Sequence, residues 1–377
     1  MARVRYEQPG LVRVHSTLTL AGARRAVAAA LAGRALPEAI DDDALVDVAI
    51  AARVAALFAA SPAAGKLRDG PAARLAEQVR HTALGLAVLD EELKRALSAL
   101  GDAGVEAVVI KGAHLAHAVY RAPWMRPRAD TDLLIPTQAR AACERVLARL
   151  GYTGAVHVRG SLILGQFHVE RPGPAGSRHA LDLHWRLAAP LAAEQILPAR
   201  RVLDAAQPLP GLGAAARGPA LHDALALSCL HLAAHHWPSC DLLWLMDVRL
   251  LALALDARGG DAFVADACER RYRVLASAVL AAAQQELPHS SLLELIRRLD
   301  AANADDEGGT YLLDSQRTPA RDLLFDVRHA GWRTGARLIG EHLFPDREYM
   351  RASFGARPLP VAYAARAWRG ARRWIRG

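Results

Sequence analysis

The sequence predicts an α+β protein: a small mixed-sheet domain embedded between N-terminal and C-terminal helical regions. Three observations carry this. Leu84, Leu86, Leu89, Leu93, Leu97 and Leu100 recur at helical spacing in a long pattern that begins at Pro71. Between residues 105 and 187 that pattern gives way to short apolar or alternating runs interleaved with helical stretches. From Pro219 helical periodicity returns. A chain of 377 residues is long for one domain. The shifts divide it into an N-terminal helical region at 1–100, an α/β domain at 101–215, a C-terminal helical domain at 216–356 and a basic amphipathic tail at 357–377.

The elements follow in order. Asp41, Asp42 and Asp43 are N-cap candidates for an apolar helix running to about Ala60, and residues 65–70 are a break. The leucine-rich helix from Pro71 ends at the turn 101–104, and residues 105–110 read as a buried strand. Residues 113–120 make one or two helical turns, and Pro123 and Pro127 bracket a loop. Residues 132–135 continue as strand, closed by Pro136. An amphipathic helix over 137–150 has Thr137 as its cap and Gly151 as its end. Strands over about 162–170 and 179–187 flank the turn-rich 171–178.

Helices are predicted over 220–236, 241–256, 261–285 and 291–302, the first two separated at Trp237-Pro238. Residues 305–309 read as an acidic loop. In the tail, Val361, Ala364, Trp368, Ala371 and Ile375 form an apolar stripe, with Arg366, Arg369, Arg373 and Arg376 mostly off it. Such a helix suits weak contact with an anionic membrane surface or an acidic partner, or docks its stripe on its own protein; docking is the simpler expectation.

Composition narrows the function classes. Apolar residues make up 52% and charged residues 23%, the balance of a folded rather than a disordered chain. Apolar runs such as 274–283 are too short to span a bilayer. Arg24, Arg25 and Arg34 break the N-terminal Ala/Leu stretch, so no signal peptide is expected. Cys143, Cys229, Cys240 and Cys268 form no CxxC pair and fit a reducing cytoplasm. The whole net charge of +8 lies beyond residue 316, so the body offers no broad basic surface for nucleic acid. Only Lys66, Lys94 and Lys111 are lysines in a chain that otherwise writes arginine; a compact ammonium at 111 suits a phosphate oxygen in a tight turn.

Candidate chemistry gathers in 108–136. Asp130 and Asp132, at i and i+2 leading into a strand, share one face. Downstream, Asp182 and His184 alternate with Leu181, Leu183 and Trp185, so carboxylate and imidazole share a face. A carboxylate within an apolar strand is costly unless cations offset it. Three carboxylates, Asp130, Asp132 and Asp182, suit two-metal phosphoryl transfer with Mg²⁺ or Mn²⁺, one ion activating an attacking hydroxyl and the other neutralising the leaving pyrophosphate. Lys111, Gly112 and Ala113 form a strand-to-helix turn that can approach a phosphate. Arg126 and Arg128 either fork onto triphosphate oxygens or pair with the neighbouring aspartates. His184 orients a carboxylate or touches a base. His231 and His235, at i and i+4, could bind zinc, but no glutamate lies between them; packing against the sheet domain or lining an acceptor pocket is the expected role, and Trp237 and Trp244 are expected in the core.

Ile110-Lys111-Gly112-Ala113, Tyr120, and Arg126-Pro127-Arg128-Ala129-Asp130-Thr131-Asp132-Leu133-Leu134-Ile135 resemble the LKGa…Y…RpmgDiDLLv signature of the uncharacterised nucleotidyltransferase family, within the polymerase-β-like superfamily. Leu181-Asp182-Leu183-His184-Trp185-Arg186 is similar to that family's dlHwrl segment, and the stretch with His231, His235 and Asp247 to its helical part. The resemblance spans about 75–345, with specific motifs in 108–187. It implies Asp130, Asp132 and Asp182 as metal ligands, Lys111-Gly112 as the phosphate turn, and transfer of an NMP group from an NTP, with ATP expected, to a small molecule, peptide or protein in preference to RNA. Ala113 stands where most of the superfamily has serine, and Ala129 where the family has glycine. Those two departures favour the alternative reading, a non-catalytic nucleotide-binding or scaffold protein with the same fold.

Overall fold

The computed structural model describes residues 17–35, 40–154, 162–173, 176–188, 190–191, 193–302, 307–355 and 357–376, and side chains from 20 to 369 within these. The chain forms two compact units, Met1–Thr82 and Ala83–Gly377.

The first unit contains α1 (Thr17–Leu31), α2 (Asp42–Ala51), α3 (Ala55–Ala59) and the start of α4 (Asp69–Asp102). Asp41 caps α2 by accepting from the Ala44 N–H at 3.3 Å. The single helix expected to about Ala60 is instead two helices. Arg53 takes φ 60°, a left-handed turn that ends α2 before α3 begins.

In the second unit, Leu86, Leu93, Leu97 and Leu100 of α4 are buried, but Leu84 is 67% exposed. Two residues before Leu86, it lies roughly 200° round the helix from it. Next come β1 (Val108–Ile110), α5 (Lys111–Ala118), β2 (Thr131–Leu134), α6 (Arg140–Arg149), β3 (Gln166–Pro172) and β4 (Arg178–His184). The strand order is β1-β2-β4-β3, with β2 and β4 parallel and the outer pairs antiparallel. This is the mixed sheet the sequence predicts.

The strand alternation gives the sheet two chemically different faces. Val109, Leu133, Phe167, Val169, Leu181 and Leu183 point to one side and pack with Leu93, Leu97 and Leu100 of α4 and Cys143, Val146 and Leu147 of α6. Burying such a Leu or Val stabilises by about 1.5–3 kcal/mol, so this face fixes the register. A one-residue slip would turn the polar set into the core. The other face carries Asp132, Asp182, His184 and His168.

Several boundaries differ from expectation. Thr137 does not cap α6: it opens a 3-10 turn, Thr137–Ala139, which moves the cap position to Ala139. Gly151, with φ 86°, ends α6 as expected. Residues 155–161 lie outside the described residues, and the third strand starts only at Gln166. Short α7 (Ala193–Ile196) and α8 (Ala199–Asp204) and the two-residue strands β5 (Gln207–Pro208) and β6 (Arg217–Gly218) lead to the helical part.

That part contains α9 (Leu221–His235), α10 (Leu242–Ala254), α11 (Ala257–Glu269), α12 (Arg273–Glu286), α13 (Ser290–Ala301), α14 (Glu307–Leu312), α15 (Pro319–His329), α16 (Gly331–Leu343), α17 (Arg347–Phe354) and α18 (Leu359–Arg376). The helix expected over 261–285 is two, because Arg271 at φ 62° closes α11. Residues 305 and 306 of the expected acidic loop lie outside the described residues, and Glu307–Leu312 is helix. No described helix is long and apolar enough to cross a membrane. In α18 the tail packs the other way round from a docked apolar stripe. Ala362 is buried, Tyr363 donates to the Pro345 carbonyl at 2.6 Å, and Arg366 donates to the His342 carbonyl. Val361 and Trp368 are 53% and 64% exposed.

Candidate active site

The site starts with strand register. On the parallel pair, Asp132 lies opposite Asp182 and Leu134 opposite His184, all on the face away from the α4–α6 core. From the far side, His168 lies opposite Asp182 and its Nδ1 is 2.7 Å from the Asp182 carboxylate.

Lys111 opens α5 with φ 52°, a left-handed conformation uncommon outside glycine. Its Nζ donates to Asp132 Oδ1 at 2.7 Å and lies 3.3 Å from His184 Nε2. His184 Nε2 is itself 2.7 Å from the same Oδ1. Burial alone would raise the Asp132 carboxyl, but the Lys111 ammonium and His184 outweigh it and hold the group well below the usual carboxylate range. Donor atoms of Asp132, Asp182 and His184 all lie within 4.8 Å of one another. Two carboxylates and an imidazole at that spacing are a donor set a divalent cation fits.

Asp130 stands just ahead of β2, on the exposed rim, and is not in that donor set. Although the residue reaches solvent, protein packed against its carboxyl and the charges of Asp132 and Asp182 push it up. Of the expected carboxylate triad, the structure therefore brings Asp132 and Asp182 together, adds His184, and leaves Asp130 at the edge.

Gly112 is buried, and a Cβ there would meet Arg126 Nη1 at 2.8 Å. Ala113 points into the core cluster, so this position offers the site only its backbone N–H.

Arg126 and Arg128 are not free for a triphosphate as the sequence suggested, nor do they pair with Asp130 or Asp132. Arg126 is buried; its Nε and Nη2 bind the two oxygens of Asp247 on α10 at 3.1 and 2.6 Å, and its Nη1 binds the Pro127 carbonyl. Tyr120 adds a 2.6 Å bond to Asp247. A buried guanidinium needs a carboxylate, and Asp247 offers it both oxygens. Arg128 turns its Nη2 to Asp90 of α4, which also bonds His117 Nε2 at 3.2 Å. Both arginines thus brace the loop that delivers Asp130 and Asp132.

On α9, His231 and His235 stand side by side with ring centroids 5.3 Å apart, and His236 stacks on Trp244 at 3.7 Å. Surrounding protein, followed by the Lys111 charge, keeps His231 neutral and pushes His235, whose edge still reaches solvent, down to about 4. These histidines therefore neighbour Lys111. They form no three-ligand metal group among the described residues. Trp237 and Trp244 are half-buried rather than fully in the core.

Sequence reasoning missed three partners. His168 could have been found from the alternation Gln166, His168, Glu170 once β3 was paired with β4. Asp247 is an acid in the middle of the apolar run 242–254, a signal for a buried cation partner. Asp90 gave no local signal.

The family model for an uncharacterised nucleotidyltransferase matches residues 38–288, more than half of the chain. No curated protein matches the chain. The matched span contains the sheet, the Lys111 turn and α9–α12, and the chain belongs to the uncharacterised nucleotidyltransferase family.

Proposed function

We propose that this protein transfers an NMP group from an NTP, with ATP expected, to a hydroxyl or other nucleophile on a small molecule, peptide or protein. The observation that carries the reading is the direct pairing of Asp132 with Asp182 across parallel strands, beside Lys111 at a helix N-terminus. Asp132 and Asp182 would hold a divalent ion, with Asp130 at the open rim completing the acidic surround and His184 set against Asp132. Bound Mg²⁺ or Mn²⁺ would neutralise phosphate charge and make the acceptor hydroxyl easier to deprotonate. Asp182, bonded to His168, is placed to take part in accepting that proton. Lys111 reaches Asp132 and can exchange that carboxylate for a phosphate oxygen, while the first N–H groups of α5 add anion affinity. His231 and His235, held neutral beside Lys111, suit the wall of an acceptor pocket. Buried, free Cys143 and Cys229 fit a cytoplasmic setting.

Ala113 favours a second reading. Its side chain lies in the core, so the turn lacks the hydroxyl most of the superfamily uses. A nucleotide-binding scaffold would bind NTP without turning it over. Calorimetry with ATP and Mn²⁺, followed by pyrophosphate release with an acceptor panel, separates the two: release supports transfer, and binding alone supports the scaffold.

The C-terminal helices carry the partner reading. Trp332, Phe344, Val361 and Trp368 are 78%, 71%, 53% and 64% exposed in the segment that holds all the net positive charge. Exposed aromatics among arginines suit weak binding to an anionic membrane surface. Co-sedimentation with phosphatidylserine vesicles but not neutral ones is expected, and loss of it in Trp332→Ser/Trp368→Ser. Equal sedimentation of that variant would contradict the reading.

A further inference from the structure

We infer that His184 Nε2 is a direct metal ligand, so that the site takes a first-row transition ion in preference to Mg²⁺, with Mn²⁺ as its spectroscopic probe. The inference rests on the metal-binding reading above and specifies which metal.

Two ligands at right angles on one ion, each about 2.1 Å from it, stand about 3 Å apart. His184 Nε2 and Asp132 Oδ1 are 2.7 Å apart, and Asp182 brings a third donor within 4.8 Å of both. The imidazole is 2% exposed, on the strand that carries Asp182, so its place beside the carboxylates is built in by the register Leu134↔His184. A positive group already lies at this point: the Lys111 ammonium contacts both Asp132 Oδ1 and His184 Nε2. A cation thus already sits in contact with both atoms. With an ion held there, the Lys111 ammonium would be left to meet a phosphate oxygen instead. Asp130, the carboxylate that would have made an all-oxygen set, is at the rim and outside the group. Mg²⁺ prefers oxygen donors, whereas imidazole suits the later divalent ions, whose affinity for nitrogen-containing sites rises along the first row. Ligation requires the His184 proton on Nδ1, leaving the Nε2 lone pair for the ion.

The test uses the whole 377-residue chain and the metals alone, then the metals with ATP. Mn²⁺ binding followed by electron paramagnetic resonance should give one site bound at least about tenfold more tightly than Mg²⁺. Its spin-echo modulation should show coupling to a nitrogen nucleus. That coupling should vanish in His184→Gln and persist in His168→Gln and His235→Gln, with circular dichroism confirming the fold. Isotopic labelling of the histidine ring nitrogens in the unmutated protein should shift the modulation, a readout that needs no variant. A Mn²⁺ site abolished by Asp132→Asn but lacking nitrogen coupling overturns histidine ligation and leaves the metal-site reading standing. Coupling that survives in His184→Gln also overturns it. Absence of any Mn²⁺ binding, with or without ATP, overturns both readings.

Discussion

Arg126 and Asp247 form a buried two-point ion pair that joins the loop before β2 to α10, 121 residues later in the chain. Tyr120 bonds the same carboxylate, and the Arg126 guanidinium fills the space beside Gly112 that a Cβ would need. Burial opposes charge on Arg126, and Asp247 reverses the effect and keeps it charged; Tyr120 is correspondingly pushed up. Breaking such a pair leaves an uncompensated charge. Asp247→Ala should cost about 3–5 kcal/mol in urea unfolding. Replacing both partners, as Arg126→Met with Asp247→Leu, should recover most of that. A double variant as unstable as the single one would mean the loss comes from packing rather than charge.

Gly218 and His114 touch in the same way. A Cβ at Gly218 would run into the His114 ring at Cδ2, and His114 is buried on α5. Gly218→Ala should destabilise by about 1–3 kcal/mol. Adding His114→Ala should give back part of that loss, a coupling read from thermal melts of the four-member cycle. Strict additivity would remove the contact as the cause.

Glu194 provides a pH-dependent test. Burial pushes its carboxyl up from 4.5 to about 7, against the opposing Ala199 N–H bond and Arg186 charge, and Oε2 has no hydrogen-bond partner. The native state therefore favours the protonated form. Stability from this group is present below pH 4.5 and is lost as pH rises through about 7. Glu194→Gln should match the parent near pH 4.5 and exceed it by roughly 1–3 kcal/mol at pH 8. A pH-independent difference between the two melts would exclude the ionisation.

Much of the sheet was legible because its signal is local. Alternation in 181–185 placed Asp182 and His184 on one face, and the apolar run after Asp132 set β2. The helical regions were legible for the same reason, except where one left-handed arginine, Arg53 or Arg271, splits a helix without a glycine to announce it. The site was legible as a set of residues but not as a network. Nothing near Arg126 in the chain points to Asp247, and nothing near Arg128 points to Asp90, because the choice between a phosphate and a distant carboxylate is made by burial. The tail misled for a related reason. Its periodicity identified the helix, but which side docks depended on α16 and the turn after it offering carbonyls to Tyr363 and Arg366.

The central claim is that the Asp132 face carries out nucleotidyl transfer. It is tested most directly by mass spectrometry of a small-molecule and peptide acceptor panel incubated with each NTP and Mg²⁺ or Mn²⁺, comparing the parent with Asp130→Asn/Asp132→Asn. The account predicts NMP adducts and pyrophosphate with the parent, and neither with a double variant that keeps its fold by circular dichroism. Equal adduct formation by the double variant would contradict it.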